Sequence, residues 1–269
     1  MNNFDLKNIE CFVFDTDGTI YLGNRLIDGA KELFNYFDKN NFKYYFLTNN
    51  SSKTSKLYFK KLFRLGINNI KEEQIITSGD ITIDYIKKIK KYPRIYLVGT
   101  KELEDQFRNS GIYLTVEMNK NIDFVVVGFD TSFEYRKAMI ACKYISKGIP
   151  FIATNKDIKC PIGDEEFIPD CGSISKMIEA ATDISPKFIG KPSKETVDYL
   201  LDKANKSKDK IAIVGDRLYT DIAMGFNNDI CSILVLSGET KIGDLKNSKI
   251  IPDFIFDNVY KLHEKLNKL

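Results

Sequence analysis

Residues 12–21 read FVFDTDGTIY, in which an apolar run meets Asp15, then Asp17, then Gly18 and Thr19. Two carboxylates this close repel, and burying them is costly without compensation. They are either a polar turn facing water or two acids held together for chemistry. In an extended segment, residues two apart point the same way, so Asp15 and Asp17 can address one reactant. Three further polar stations follow strand-like runs. Thr48, Asn49 and Asn50 close KYYFLTNN, Lys191 lies between Gly190 and Pro192 in FIGKPS, and Asp216 and Asp221 stand five apart in VGDRLYTD. Taken singly, each has an ordinary reading: a helix cap after Thr48, a surface charge at Lys191, a capped helix with a solvated acid at Asp216 and Asp221.

The elements that must position these residues are legible as a pattern. Strand-like runs are expected at 11–15, 43–48, 74–78, 94–99, 123–130, 150–155, 187–190, 210–216, 231–237 and 253–257. Amphipathic, helix-length stretches such as 29–40, 54–66 and 132–148 lie between them, and Gly148 suits a helix end. This alternation predicts an α/β protein built on parallel sheets covered on both faces. In such sheets ligands sit beyond the carboxyl ends of the strands, where the strand order reverses. If the strands ending at Asp15 and Asp216 flank that point, their carboxylates converge. Converging oxygens suit a hard divalent cation such as Mg2+, which would relieve the repulsion within FVFDTDGTIY.

Composition removes several other chemistries. The chain has 269 residues, is 43% hydrophobic and carries a formal charge of +3 from 40 basic and 37 acidic residues. That supports a real core and is too balanced to imply nucleic acid or a membrane partner. No run approaches the roughly 18 apolar residues of a membrane helix. The start, MNNFDLKNIE, lacks the basic and apolar pattern of a signal peptide. The five cysteines show no CxxC spacing, and Cys11 and Cys231 sit in apolar runs. They read as reduced thiols in a cytoplasmic protein. The one histidine, His263, lies in the amphipathic stretch NVYKLHEKLNKL, which disfavours histidine triads and two-histidine metal sites. No cysteine has an arginine six positions later, and Gly190-Lys191 is followed by Pro192 rather than by Ser or Thr of a Walker A loop.

The order DxDGT, TNN, GKP and GDxxxxD resembles the haloacid dehalogenase (HAD) superfamily of phosphoryl-transfer enzymes. The stretches FLTNNSSKT, FIATN with Asp157, and FIGKPS leading to IVGDRLYTDIAMG are similar to its NagD-like branch, which includes para-nitrophenyl phosphatases. The resemblance implies a Rossmann-like HAD core with a parallel sheet plus a smaller inserted α/β cap domain. It implies Asp15 as nucleophile and Asp17 as the acid that protonates the leaving group, then the base that activates water. Mg2+ would be held by the Asp15 side chain, the Asp17 backbone carbonyl and the Asp216 side chain. Asp221 would act through water or by orienting Lys191. Thr48, Asn49 through its backbone amide, Asn50 and Lys191 would meet the phosphate. Related ion-pumping ATPases carry Thr where this chain has Asp17, so hydrolysis of the phospho-enzyme is expected here.

Spacing locates the insertion. Asp15 to Thr48 is about one βαβ crossover. From Thr48 to Lys191 the chain has far more residues than a crossover needs, so an α/β cap is expected at 80–185, between core segments 1–79 and 186–269. A cap suggests a small phosphate monoester as substrate rather than nucleic acid, and a homodimer contact is compatible with it. The stretch ATNKDIKCPIGDEEFIPDCGSI reads as a loop, with Asn155 and Asp157 as either leaving-group contacts or parts of a structural turn. Relatives often read P-G-x-G-S where this chain has Pro169-Asp170-Cys171-Gly172-Ser173, so Asp170 is a candidate for turning away acidic leaving groups. The expected function is a Mg2+-dependent phosphatase working through an aspartyl-phosphate. The alternatives are a phosphotransferase or mutase on sugar phosphates, and a non-catalytic phosphate-binding module.

Overall fold

Four consecutive apolar residues, Cys11–Phe14, form the first strand, and all four are completely buried. A strand buried on both faces needs a continuous apolar run rather than alternation. The computed structural model describes residues 4–118, 120–163 and 166–269. In chain order the strands are β1 Cys11–Phe14, β2 Tyr21–Leu22, β3 Arg25–Leu26, β4 Lys43–Thr48, β5 Ile75–Thr77, β6 Arg94–Val98, β7 Tyr113–Thr115, β8 Phe124–Val127, β9 Phe151–Ala153, β10 Lys159–Gly163, β11 Glu166–Pro169, β12 Lys187–Phe188, β13 Ile211–Gly215, β14 Cys231–Val235 and β15 Phe254–Phe256. The fold is α/β and Rossmann-like, and the chain divides into two units.

The first unit comprises Met1–Thr48, Ser55–Ile76 and Val197–Leu269. Its sheet has the order β15-β14-β13-β1-β4-β5. β1 pairs in parallel with both β13 and β4. The chain therefore builds outward from β1 in one direction through β4 and β5, then returns and builds in the other through β13, β14 and β15. The order reverses between β1 and β13, as the sequence reading required for Asp15 and Asp216 to converge. The core is aromatic: Phe37 contacts Phe12, Phe14, Phe34 and Phe42 with ring centroids 4.9–6.2 Å apart. The helix Ala30–Lys39 contributes Phe34 and Phe37 and packs on the C-terminal helix Val259–Leu266. There His263 lies edge-on to Tyr36 at 5.3 Å, which gives it a packing role.

The second unit comprises Asn49–Thr54 and Thr77–Thr196. Its sheet runs β12-β9-β8-β6-β7, with every pair parallel. Helices Tyr135–Ile145 and Cys171–Thr182 pack together and close its core with Val125, Val127, Ala141, Ile145, Ala153 and Ile178. The segment read as a loop contains an antiparallel hairpin of β10 and β11, with its register shifted between Pro161 and Gly163. Proline and glycine masked it, and its side chains are mostly exposed, so no buried alternation marks it. Asp164 and Glu165 of that segment lie outside the described residues. The short strands β2, β3 and β7 were also unread, because two or three residues carry no period.

Among the described residues no helix is long and apolar enough to cross a membrane. Cys11, Cys171 and Cys231 are free and buried, and Cys142 and Cys160 are partly exposed. Burial pushes the Cys11 thiol up to about 12. It pushes Cys171 up to about 12 as well, with the Asp170 charge as second cause. A thiol raised this far stays protonated and unreactive near neutrality. Thiol titration of the native protein at pH 8 is therefore expected to count at most Cys142 and Cys160, and all five in denaturant. Prompt labelling of Cys171 in the native protein, read by peptide mapping, would contradict the packing described.

Candidate active site

β1 and β13 end side by side, and the Asp15 N–H donates to Val214 O at 2.8 Å. Asp216 follows β13 and is almost wholly buried. Its Oδ1 accepts from the Thr19 hydroxyl at 3.3 Å and its Oδ2 from the Glu239 N–H at 2.7 Å. Two glycines make room for it. A Cβ at Gly18, which has φ 86°, would lie 2.4 Å from Asp216 Oδ2, and one at Gly238 would lie 2.0 Å from it. Only glycine fits either place, and at Gly18 the left-handed backbone adds a second reason.

Asp221 stands on a short π-helical turn, Leu218–Ile222, that follows Arg217. Its Oδ2 accepts from the Arg217 N–H at 3.1 Å and the Thr220 hydroxyl at 3.4 Å. Gly215 is packed against it, with an added Cβ only 2.3 Å from Asp221 Cβ. Carboxylate oxygens of Asp15, Asp216 and Asp221 all lie within 4.8 Å of one another. Ligands about 2.1 Å from a common small cation sit up to ~4.2 Å apart, so this oxygen set fits a hard divalent ion with little adjustment. Three carboxylates this close, two of them buried, repel one another, and a cation among them would relieve that repulsion. The spacing brings Asp221 into the group itself, whereas the sequence reading set it at one remove.

Asp17 is half-exposed, with 48% of its side chain accessible. The Tyr21 hydroxyl donates to its Oδ2 at 3.2 Å. Lys61, from the helix Ser55–Arg64, places Nζ 3.9 Å from Asp17 Oδ1 and 3.6 Å from the centre of the Tyr21 ring. Burial, and then the charge of Asp17, hold the Tyr21 hydroxyl well above its ordinary pKa, so it remains a donor. Neither Tyr21 nor Lys61 was singled out from the sequence. Tyr21 lies in the short strand β2, which carries no period, and Lys61 is one lysine in a helix rich in them.

Thr48 ends β4 in the first unit and is buried. The remaining predicted residues belong to the second unit. The Asn49 side chain accepts from the Lys191 N–H at 2.8 Å and donates to Lys191 O at 3.2 Å. It also donates to Asp157 Oδ1 and Oδ2, both at 3.3 Å. Asn155 is wholly buried; its amide donates to Asn49 O at 2.8 Å, and its Oδ1 accepts from the Asp157 N–H at 2.9 Å. These bonds hold Asn155 and Asp157 in one network with Asn49. Asn50 Oδ1 accepts from the Ser52 N–H at 2.9 Å and hydroxyl at 2.7 Å, an Asx turn. Asp170 is nearly buried and is the N-cap of the helix Cys171–Thr182, its carboxylate accepting from the Cys171 N–H.

Residues 12–113 match the haloacid dehalogenase-like hydrolases, and residues 188–262 match a second HAD-hydrolase-like pattern. An acid sugar phosphatase of Staphylococcus haemolyticus is 34% identical over 263 residues, covering 98% of each chain. The structure of a 4-nitrophenylphosphatase from Thermotoga maritima is 41% identical, with a TM-score of 0.90 over 96% of this chain and 98% of that one. NagD from Escherichia coli is 28% identical, with a TM-score of 0.86 over 94% and 98%. Likeness of this degree, sustained from end to end, places the chain in the haloacid dehalogenase-like hydrolases, within their NagD-like phosphatase branch.

Proposed function

We propose that this phosphatase hydrolyses small phosphate monoesters, with sugar phosphates as the leading class, through an aspartyl-phosphate on Asp15 and with Mg2+ as its ion. The observation that carries the reading is the convergence of the Asp15, Asp216 and Asp221 oxygens. The names of the relatives, acid sugar phosphatase and 4-nitrophenylphosphatase, support the substrate class.

Asp15 needs no general base, because a carboxylate is already ionised at neutral pH. Its free oxygen attacks phosphorus as the bond to the ester oxygen breaks, and Asp17 gives that oxygen its proton. Asp17 then takes a proton from water, whose oxygen attacks phosphorus while the Asp15–phosphorus bond breaks. Inorganic phosphate leaves and both aspartates are restored. Asp15, Asp216, Asp221 and the Asp17 backbone carbonyl are the residues that would hold Mg2+. When bound, the ion neutralises charge on nucleophile and phosphate and so lets two anions meet. Thr48, the Asn49 N–H, Asn50 and Lys191 are assigned to the phosphoryl oxygens. Residues 80–185 of the second unit are assigned the part of a cap that screens the phosphoryl group from bulk water.

Three outcomes are expected. Asp15→Asn keeps the fold by circular dichroism and loses at least about 1,000-fold in kcat on para-nitrophenyl phosphate. Retained turnover would dismiss the nucleophile. Gly238→Ala pushes a methyl group into Asp216, so the Mg2+ concentration for half-maximal rate is expected to rise about 10-fold. The same Mg2+ dependence in wild type and variant would argue against Asp216 as a ligand. On a panel of sugar phosphates with glycerol present, released inorganic phosphate should equal released alcohol, whereas accumulation of glycerol phosphate would mark a transferase.

A further inference from the structure

Lys191 is a flexible point charge on a four-carbon stem, so what it does to a phosphate depends on how firmly its backbone is held. In this chain that backbone is clasped by one side chain. The Asn49 amide pairs with both the N–H and the C=O of Lys191, at 2.8 and 3.2 Å. The polarity of the amide is dictated by its surroundings. Turned over, its NH2 would face the Lys191 N–H, and its oxygen would face the Asp157 carboxylate. The second hydrogen of the amide reaches both Asp157 oxygens at 3.3 Å. The main chain of Asn49 is held in turn, its carbonyl accepting from Asn155 Nδ2 at 2.8 Å and from the Ser78 hydroxyl.

Asn49, Asn155, Asp157 and Lys191 are each at least 94% buried. Hydrogen bonds shielded from water are stronger and stiffer than exposed ones. Gly190 completes the clasp, because a Cβ there would come within 2.6 Å of both Asn49 Oδ1 and Thr154 O. Asn49 directly follows Thr48, so one residue ties the TNN station to the loop that carries Lys191.

We propose that Asn49, Asn155 and Asp157 form a positioning unit that fixes Lys191 for phosphate binding, and that Asp157 anchors this unit instead of selecting the leaving group. The proposal rests on the phosphate role assigned to Lys191 above. A preset cation binds its anion without ordering cost, so loosening it weakens phosphate affinity alike for every ester.

The test is calorimetric titration of inorganic phosphate into the Mg2+-loaded protein, which needs no turnover. Asn49→Ala is expected to weaken binding about 10-fold, the scale of a lost hydrogen bond to a group that orients a charge. Lys191→Ala should weaken it at least as much. In the Lys191→Ala background, Asn49→Ala should add less than about twofold, because both act through one ammonium. Asp157→Ala should raise KM for para-nitrophenyl phosphate and for a sugar phosphate by the same factor. This second variant decides the matter should Asn49→Ala fail to fold. Additive losses in the cycle, unchanged binding by Asn49→Ala, or a changed ratio between the two esters in Asp157→Ala would overturn the positioning unit. Unchanged binding by Lys191→Ala would instead overturn the phosphate role on which it stands.

Discussion

Three carboxylates are held against their own repulsion at the ends of two neighbouring parallel strands, and the first unit is arranged around that constraint. The strand order must reverse between β1 and β13 for the two chain exits to face one point. Three glycines, at 18, 215 and 238, must lack a side chain where Asp216 and Asp221 are packed. Donors to the two buried acids include the hydroxyls of Thr19 and Thr220 and the N–H groups of Arg217 and Glu239. Such neutral donors fix direction and leave the negative charge available to a cation.

The rigidity behind this arrangement is apolar. β1 is entirely buried, and its phenylalanines stack into the cluster around Phe37. Each aromatic contact adds about 0.5–1.5 kcal/mol beyond the area it buries. Asp15 follows Phe14 directly, so the nucleophile assigned above leaves the sheet from a fully buried strand. Catalytic groups need tolerances well under an ångström, and a strand end anchored this way supplies them better than a loop.

Much of this was legible in the sequence because each feature leaves a local trace. The ten strands read from apolar runs all have counterparts, since a strand covered on both faces needs such a run. The DxD and GDxxxxD stations were legible because Asp15 and Asp216 directly follow those strands. What escaped was set by distant partners or by very short elements. Lys61 meets Asp17 from the helix Ser55–Arg64, and nothing in SKLYFKKLFR distinguishes it from Lys60. The hairpin of β10 and β11 and the short strands β2, β3 and β7 lack the length over which a period can be seen. The cap that Asp170 provides to the helix beginning at the next residue was also not read.

Asn49 shows how far a residue-type argument can go and where tertiary structure takes over. In sequence it is one polar residue after a strand, with a backbone N–H available to an oxyanion. In the fold its side chain is consumed by Lys191 and Asp157, more than a hundred residues away in the chain. An amide suits that place for a reason independent of the reaction. It must accept from one main-chain N–H, donate to one carbonyl and donate again to a carboxylate, and among side chains only Asn and Gln combine those capacities in one planar group. Gln would carry the same amide one methylene further out, into space already tight enough to require Gly190. The clasp therefore demands asparagine by size and by polarity together, whatever ester the enzyme cleaves.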